Sequence, residues 1–99
     1  MNEILVDTER RLISSGSPFE QAEHALQNIS KALGSVGMGL EDVVRVRYLL
    51  ARREDADACF PVFGRWFKGI RPAATMEVVG LLDDAMSIEI EVTAYRPEH

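Results

Sequence analysis

The chain has 99 residues, the length of one domain, and 46% of them are hydrophobic. Its formal net charge is −5, and its arginines are dispersed among acids, which argues against a nucleic-acid binder, since phosphates require a basic surface. The one cysteine, Cys59, excludes an internal disulfide and belongs to no metal motif, so we predict neither a metal nor a cofactor.

The N-terminal segment shows no clear pattern. We expect residues 1–9 to form a loose lead-in to a single domain that spans residues 1–99. The segment lacks a basic region followed by a long apolar run, and no apolar stretch reaches membrane-spanning length. We therefore expect a cytoplasmic protein without a membrane partner. Residues 10–14 are predicted to form a short strand around Leu12 and Ile13.

A first helix is predicted to begin after Ser17. Pro18 suits the first helical position, and Glu20 stands three residues after Ser17, which makes a capping box. The apolar residues that follow recur at spacings of four, three and four, namely Ala22, Leu26, Ile29 and Leu33. Glycines from Gly34 onward are predicted to end the helix.

Residues 43–51 are predicted to form a strand, because the segment is rich in branched residues and its side chains fall into two alternating sets, one for each face of a strand. One face would carry Val44, Val46, Tyr48 and Leu50. Arg45 and Arg47 would lie on the other, less apolar face.

A second helix is predicted over residues 55–67, whose apolar residues fit one helical face. Pro61 lies past the first turn and lacks a backbone donor. We therefore expect either a kink or a helix that begins near Ala58. Cys59 lies among aromatic residues with no histidine nearby in sequence, which favours a buried, inert thiol.

Two strands are predicted at the end of the chain, over residues 73–81 and 86–95. We expect them to pair antiparallel through a connection near Asp83 and Asp84. The order strand, helix, strand, helix, strand, strand predicts an α+β fold, a mixed sheet with two helices packed on one face.

Several short blocks follow one another in a characteristic order and spacing from Gln21 to the end of the chain. They are Ala-Leu-Gln-Asn-Ile at residues 25–29, Leu-Glu-Asp-Val-Val-Arg-Val at 40–46, Arg-Trp-Phe at 65–67, Arg-Pro-Ala-Ala-Thr-Met at 71–76 and Ile-Glu-Ile-Glu-Val-Thr-Ala at 88–94. Through these blocks the chain resembles the Rid family (reactive intermediate deaminases), also called the YjgF or endoribonuclease L-PSP-like family. The resemblance implies a chorismate mutase-like, YjgF-type fold. It also implies a homotrimer with a small-molecule ligand in a cleft between subunits, and hydrolysis of 2-imino acids or enamines to keto acids and ammonia.

The resemblance implies the site residues position by position. Glu89 matches the acid of the family motif and is the implied catalytic residue. Ala74 stands where the family has its substrate-binding arginine. Thr75, the next residue, is a candidate to hydrogen-bond a ligand by its own chemistry, although such a threonine more often simply fills a strand. Phe60 matches an asparagine that lines the cleft, and Met76 matches a neighbouring cysteine. From the residues alone, a solvated position on a strand face beside Glu91 is the favoured interpretation of Glu89, and only the resemblance makes the functional interpretation equal to it.

The chain departs from the family in one further respect. A strand hairpin that family members carry before the first helix is missing, since Glu20 runs directly into Gln21. Arg71 and Arg47 are the candidates for a replacement cation, although an ordinary cross-strand ion pair with Glu89 or Glu91 is the favoured role of Arg47. Two functions stay open, an enamine/imine deaminase with weak or altered activity and a non-catalytic ligand-binding or structural Rid-like oligomer.

Overall fold

The computed structural model describes residues 2–7, as backbone alone, and residues 16–97. Its strands and helices, in chain order, are β1 (Asn2–Asp7), α1 (Pro18–Ser35), β2 (Val43–Leu50), α2 (Ala56–Trp66), β3 (Ala73–Val78) and β4 (Ile88–Arg96). The four strands form one sheet in the order β1-β4-β2-β3. Strand β4 is antiparallel to β1 and β2, whereas β2 is parallel to β3. The predicted α+β class with a mixed sheet is confirmed.

The predicted pairing of the last two strands is wrong. Strand β2 lies between them, so that Tyr48 pairs with Met76 of β3 on one side and with Ile90 of β4 on the other. The branched residues of β4 are buried, as suits a strand inside the sheet, while β3 is mostly exposed and forms an edge. Helix α2 supplies the crossover that a parallel pair of strands needs.

The expected lead-in over residues 1–9 also needs correction, because residues 2–7 form strand β1. This strand pairs with β4, for example Ile4 with Ala94. The run Ile4-Leu5-Val6 carries the aliphatic residues that strands favour, and it is the signal that the sequence analysis missed. The strand predicted at residues 10–14 lies outside the described residues.

Helix α1 confirms the predicted capping box. The Ser17 hydroxyl accepts a hydrogen bond from the Glu20 amide at 3.2 Å, and the Glu20 carboxylate accepts one from the Ser17 amide at 3.0 Å. The predicted apolar stripe is fully buried. Gly37, with φ of 79°, turns the chain toward β2.

A bulge at the start of β2 changes which valine enters the core. Val43 pairs with Ala94 whereas Arg45 pairs with Thr93, so Val44 is an extra residue. Val44 is 48% exposed, and Val43 takes its place in the core. The prediction for Val44 is therefore wrong, but the rest of that face is buried as predicted, at Val46, Tyr48 and Leu50.

Helix α2 begins at Ala56, so the predicted later start near Ala58 is wrong, and Pro61 lies inside the helix. The buried residues of both helices belong to one core with the buried residues of β2 and β4. Both helices therefore lie on one face of the sheet. No other element of the described chain lies on the opposite face, which we call the open face.

Gln21 joins the start of α1 to the chain just before β4. Its side chain is buried, with the residue 2% exposed. The amide nitrogen donates to the carbonyl oxygens of Gly16 at 3.0 Å and Ala85 at 2.9 Å, and the amide oxygen accepts from the Ser87 amide at 2.7 Å. All three bonds are lost together if the amide is removed.

Replacing Gln21 by leucine is expected to lower the free energy of unfolding by at least about 1–3 kcal/mol, because backbone groups lose their partners. Urea denaturation measures the change. Gln27→Leu is the matched control, since Gln27 is exposed on the same helix and its replacement should shift stability by no more than about 0.5 kcal/mol. Equal effects of the two changes would contradict a joining role for Gln21.

Asp42 and Arg96 connect the loop before β2 to the end of β4. Arg96 donates two hydrogen bonds to the Asp42 carboxylate, at 3.1 and 2.7 Å, and a third to the carbonyl oxygen of Gly37 at 2.7 Å. The Asp42 carboxylate also accepts from the Gly39 amide at 3.0 Å. The Gly39 bond, followed by the Arg96 bond, lowers the pKa of Asp42 below its ordinary value of 3.8.

This lowered pKa predicts a pH dependence of stability. The contribution of the Asp42 carboxylate is fully present above its ordinary, unfolded pKa of 3.8 and is lost as pH falls through the lower folded value. Asp42→Asn should therefore destabilise the protein at pH 6 and progressively less below about pH 4. Thermal unfolding between pH 6 and 2 measures this, with Asp84→Asn in an exposed turn as control. If the difference in melting temperature between Asp42→Asn and wild type does not become smaller as the pH falls, the lowered pKa of Asp42 is contradicted.

Candidate functional site

The alternation of the strands divides the predicted site residues between two faces of the sheet. Val46 pairs with Ala74 of β3, and Tyr48 pairs with Met76. Paired residues of neighbouring strands point to the same face. Since Val46 and Tyr48 are buried under the helices, Ala74 and Met76 lie on the helix side of the sheet.

Glu89 and Thr75 lie on the open face. Leu49 pairs with Glu89 of β4 and with Glu77 of β3, and Arg47 pairs with Thr75 in β3. The neighbours of Glu89 along β4, Ile88 and Ile90, are buried on the helix side. Glu89 is half-buried.

Phe60 joins the helix-side group. It is 51% exposed on α2, and its ring meets that of Phe63 edge-on at a centroid distance of 6.4 Å. Phe63 stacks on Tyr48 at 3.8 Å, and Met76 lies beside Tyr48 in the sheet. The structure thus places Phe60, Met76 and Ala74 on one side of the sheet and Glu89 with Thr75 on the other.

Arg47 is engaged by two carboxylates. Its guanidinium donates to Glu77 at 3.0 Å and to Glu91 at 3.1 Å. The predicted cross-strand ion pair is confirmed for Glu91. A substrate carboxylate that used Arg47 would have to compete with both glutamates, so the arginine is poorly placed as a replacement anchor.

Arg71 is exposed at the entry to β3, three residues before Ala74. Its φ of 53° is left-handed, and Pro72 follows it, a combination that costs of order 1 kcal/mol or more for a residue other than glycine. Among residues 16–97 its guanidinium makes no ion pair. Of the two predicted replacement cations, Arg47 is paired with two glutamates, whereas Arg71 has no carboxylate partner within residues 16–97.

Cys59 is buried, and its Sγ lies 3.6 Å from the carbonyl oxygen of Pro18. Burial, and secondarily the Asp55 carboxylate, raises the pKa of the thiol to about 11. The thiol is therefore protonated at neutral pH, as predicted for an inert cysteine. Over residues 2–7 and 16–97, no group of three or more His, Cys, Asp or Glu could hold a metal ion.

Tyr48 also belongs to the helix-side group with Phe60 and Met76, although its sequence pattern indicated only a position on a strand face. It is 6% exposed, and burial raises the pKa of its hydroxyl. Within the described part of the chain, no hydrogen bond to this hydroxyl is found. A tyrosine among the aliphatic residues of a buried strand was the available signal, because a hydroxyl there needs a partner.

Comparison with known proteins identifies the family. The family model described as Endoribonuclease L-PSP matches residues 4–96. The chain is 36% identical over 86 residues to an uncharacterised protein of Streptomyces coelicolor, covering 86% of this chain and 64% of that protein. It is 30% identical over 92 residues to the human 2-iminobutanoate/2-iminopropanoate deaminase, covering 93% and 67% respectively. The chain belongs to the endoribonuclease L-PSP family, the YjgF or Rid family.

Solved structures agree with this assignment. A YjgF-family protein from Mycobacterium tuberculosis superposes with a TM-score of 0.74 at 35% identity, covering 77% of this chain and 65% of that one. A putative endoribonuclease from Thermotoga maritima gives a TM-score of 0.88 at 27% identity, covering 99% and 82%. The chain thus spans slightly less than two thirds of the Streptomyces and Mycobacterium proteins. In the described residues, no helix is long and apolar enough to cross a membrane.

Proposed function

We propose that the protein is a Rid-family enamine/imine deaminase with weak or altered activity. The observation that carries the proposal is the placement of Glu89, half-buried on the open face at the position of the family's acid. The similarity to the human 2-iminobutanoate/2-iminopropanoate deaminase supports the reaction class.

The reaction is the hydrolysis of a C=N bond. Water adds to the imine carbon, the nitrogen is protonated, and the C–N bond breaks to release ammonia and a carbonyl compound. The Glu89 carboxylate takes a proton from the attacking water and gives it to the nitrogen, which forms a carbinolamine. It then takes the proton of the carbinolamine hydroxyl and gives it to the departing nitrogen, so that the carbonyl forms as ammonia leaves. A 2-imino acid also needs a cation for its carboxylate, and Ala74 does not supply one.

We place the cleft between copies of the chain in a homotrimer. Glu89 lies on the open face, whereas Ala74, Met76 and Phe60 lie on the helix side, so a single copy does not present both groups to one small ligand. The open face and the exposed edge strand β3 are surfaces that another copy can cover. In this arrangement the acid comes from one subunit and the uncharged wall from its neighbour.

The assembly itself is testable by light scattering at micromolar concentration, with a homotrimer of the 11.1 kDa chain as the expected species. Leu49→Lys should dissociate it, because Leu49 is half-buried in the middle of the open face. Leu82→Lys, at a largely exposed loop position, is the matched control and should leave the trimer intact. A wild-type monomer at this concentration would contradict the proposal.

The second function, a non-catalytic ligand-binding or structural oligomer, is favoured by the absence of a charge at Ala74 and by the engagement of Arg47 with two glutamates. Release of ammonia and keto acid from freshly generated 2-imino acid distinguishes the two. Release that depends on Glu89 supports the deaminase, and no release above the uncatalysed rate supports the alternative.

A further inference from the structure

An uncharged wall runs from the buried strand β2 to the surface of α2. The rings of Tyr48 and Phe63 are stacked, with an angle of 20° between their planes, and Phe60 lies edge-on against Phe63. Met76 extends the wall onto the edge strand β3, where it is half-buried, and Ala74 follows as a small, exposed residue. The exposed end of the wall is thus apolar and aromatic.

The Tyr48 hydroxyl is the polar group of this wall. The residue is almost completely buried, and within residues 16–97 the hydroxyl has no hydrogen-bond partner. Buried polar groups are nearly always paired, and a phenylalanine would fill the same space without an unpaired hydroxyl. The hydroxyl thus lacks a partner among the described residues, a place that a polar group of a ligand at the wall can fill.

The charges near the wall disfavour an anionic ligand. The side chains at positions 60, 74 and 76 are uncharged, and Arg47 lies on the opposite face with its two glutamates. Arg71 precedes strand β3 at an exposed position and is not part of the wall. A carboxylate held against the wall would lose its hydration without gaining a cation from the wall itself. A neutral carbonyl or imine group would need only the one hydrogen bond that a hydroxyl supplies.

We propose that this site takes an uncharged aromatic or apolar imine and the matching carbonyl product, packed against Phe60 and Met76, with the Tyr48 hydroxyl donating to its nitrogen or oxygen. The proposal rests on the proposed function for the location of the ligand. It assigns Tyr48 as a binding residue that sets specificity, while Glu89 of another copy handles the protons.

Binding of two matched probes tests the assignment. Acetophenone and phenylglyoxylate share a ring and a ketone and differ in a methyl group against a carboxylate. Titrations followed by NMR should show that wild type binds acetophenone at least about tenfold more tightly than it binds phenylglyoxylate. Tyr48→Phe should weaken acetophenone binding by about 3- to 10-fold, the usual effect of one hydrogen bond. Tyr95→Phe is the control, since Tyr95 lies on the open face next to buried Ala94.

Three results would overturn the assignment: phenylglyoxylate binding as tightly as acetophenone, equal acetophenone binding by wild type and Tyr48→Phe, or no acetophenone binding at all. In each case, ammonia release that still depends on Glu89 would leave the proposed deaminase intact. Conversely, binding that depends on Tyr48 without ammonia release that depends on Glu89 would support the ligand class and remove the proposed reaction.

Discussion

Replacing Ala74 by arginine is expected to strengthen the binding of small 2-keto acids by about 30-fold to several thousand-fold. The reason is that removing one partner of a bidentate guanidinium–carboxylate pair in a partly dry cleft costs about 2–5 kcal/mol of binding free energy, so supplying the missing guanidinium should restore a similar amount. Ala74 is exposed on the edge strand, so a longer side chain can extend beside Met76 without entering the core.

Calorimetry with 2-ketobutyrate measures this effect. Ala85→Arg is the matched control, because it adds the same charge at an exposed turn and should leave binding unchanged. If Ala74→Arg stays folded and binds no keto acid, the cleft does not exist in this chain and the non-catalytic function is the better account.

Replacing Glu89 by glutamine is expected to reduce ammonia release from 2-imino acids by about 100-fold or more, the usual contribution of a general acid or base. The amide keeps the shape of the side chain and cannot accept a proton from water. The assay is made in the wild type and in Ala74→Arg, where the rate should be higher.

Glu77→Gln is the control for this change. Glu77 pairs with the same residue, Leu49, from the other side of β2, so it lies on the open face in the same row as Glu89. Its replacement weakens an exposed ion pair with Arg47 and should change the rate only slightly. If the two variants retain similar activity, Glu89 has no part in the mechanism.

The parts of the fold that depend on residues close together in sequence were predictable from the sequence. The capping box of Ser17 and Glu20 and the apolar stripe of α1 are local features, and both are found in the structure. The short strand β1 was not predicted, because its six residues contain only three aliphatic side chains, next to one another, and show little periodicity.

The pairing of strands was not predictable in the same way, since it depends on contacts distant in sequence. Strands β3 and β4 are consecutive, which suggests a hairpin, but β2 is inserted between them and β3 is left at the edge. The bulge at Val44 likewise depends on its partner strand, and it places Val43 instead of Val44 in the core.

The candidate site shows the same limit. The resemblance identified Glu89 and Ala74 as matching positions, but only the register places them on opposite faces of the sheet. The stacking of Tyr48 on Phe63 joins a strand to a helix, and no spacing in the sequence indicates it.

The central claim is that Glu89 of one copy and position 74 of another form one site, and mixed assemblies test it most directly. Wild-type chains, which have Glu89 but no arginine at position 74, are refolded together with Ala74→Arg/Glu89→Gln chains. Native mass spectrometry verifies mixing, and ammonia release from a 2-imino acid is the readout. The account predicts a rate at least about tenfold above that of either parent, because mixed interfaces unite the arginine with the acid. A rate equal to the weighted sum of the two parents, in verified mixed assemblies, would contradict it.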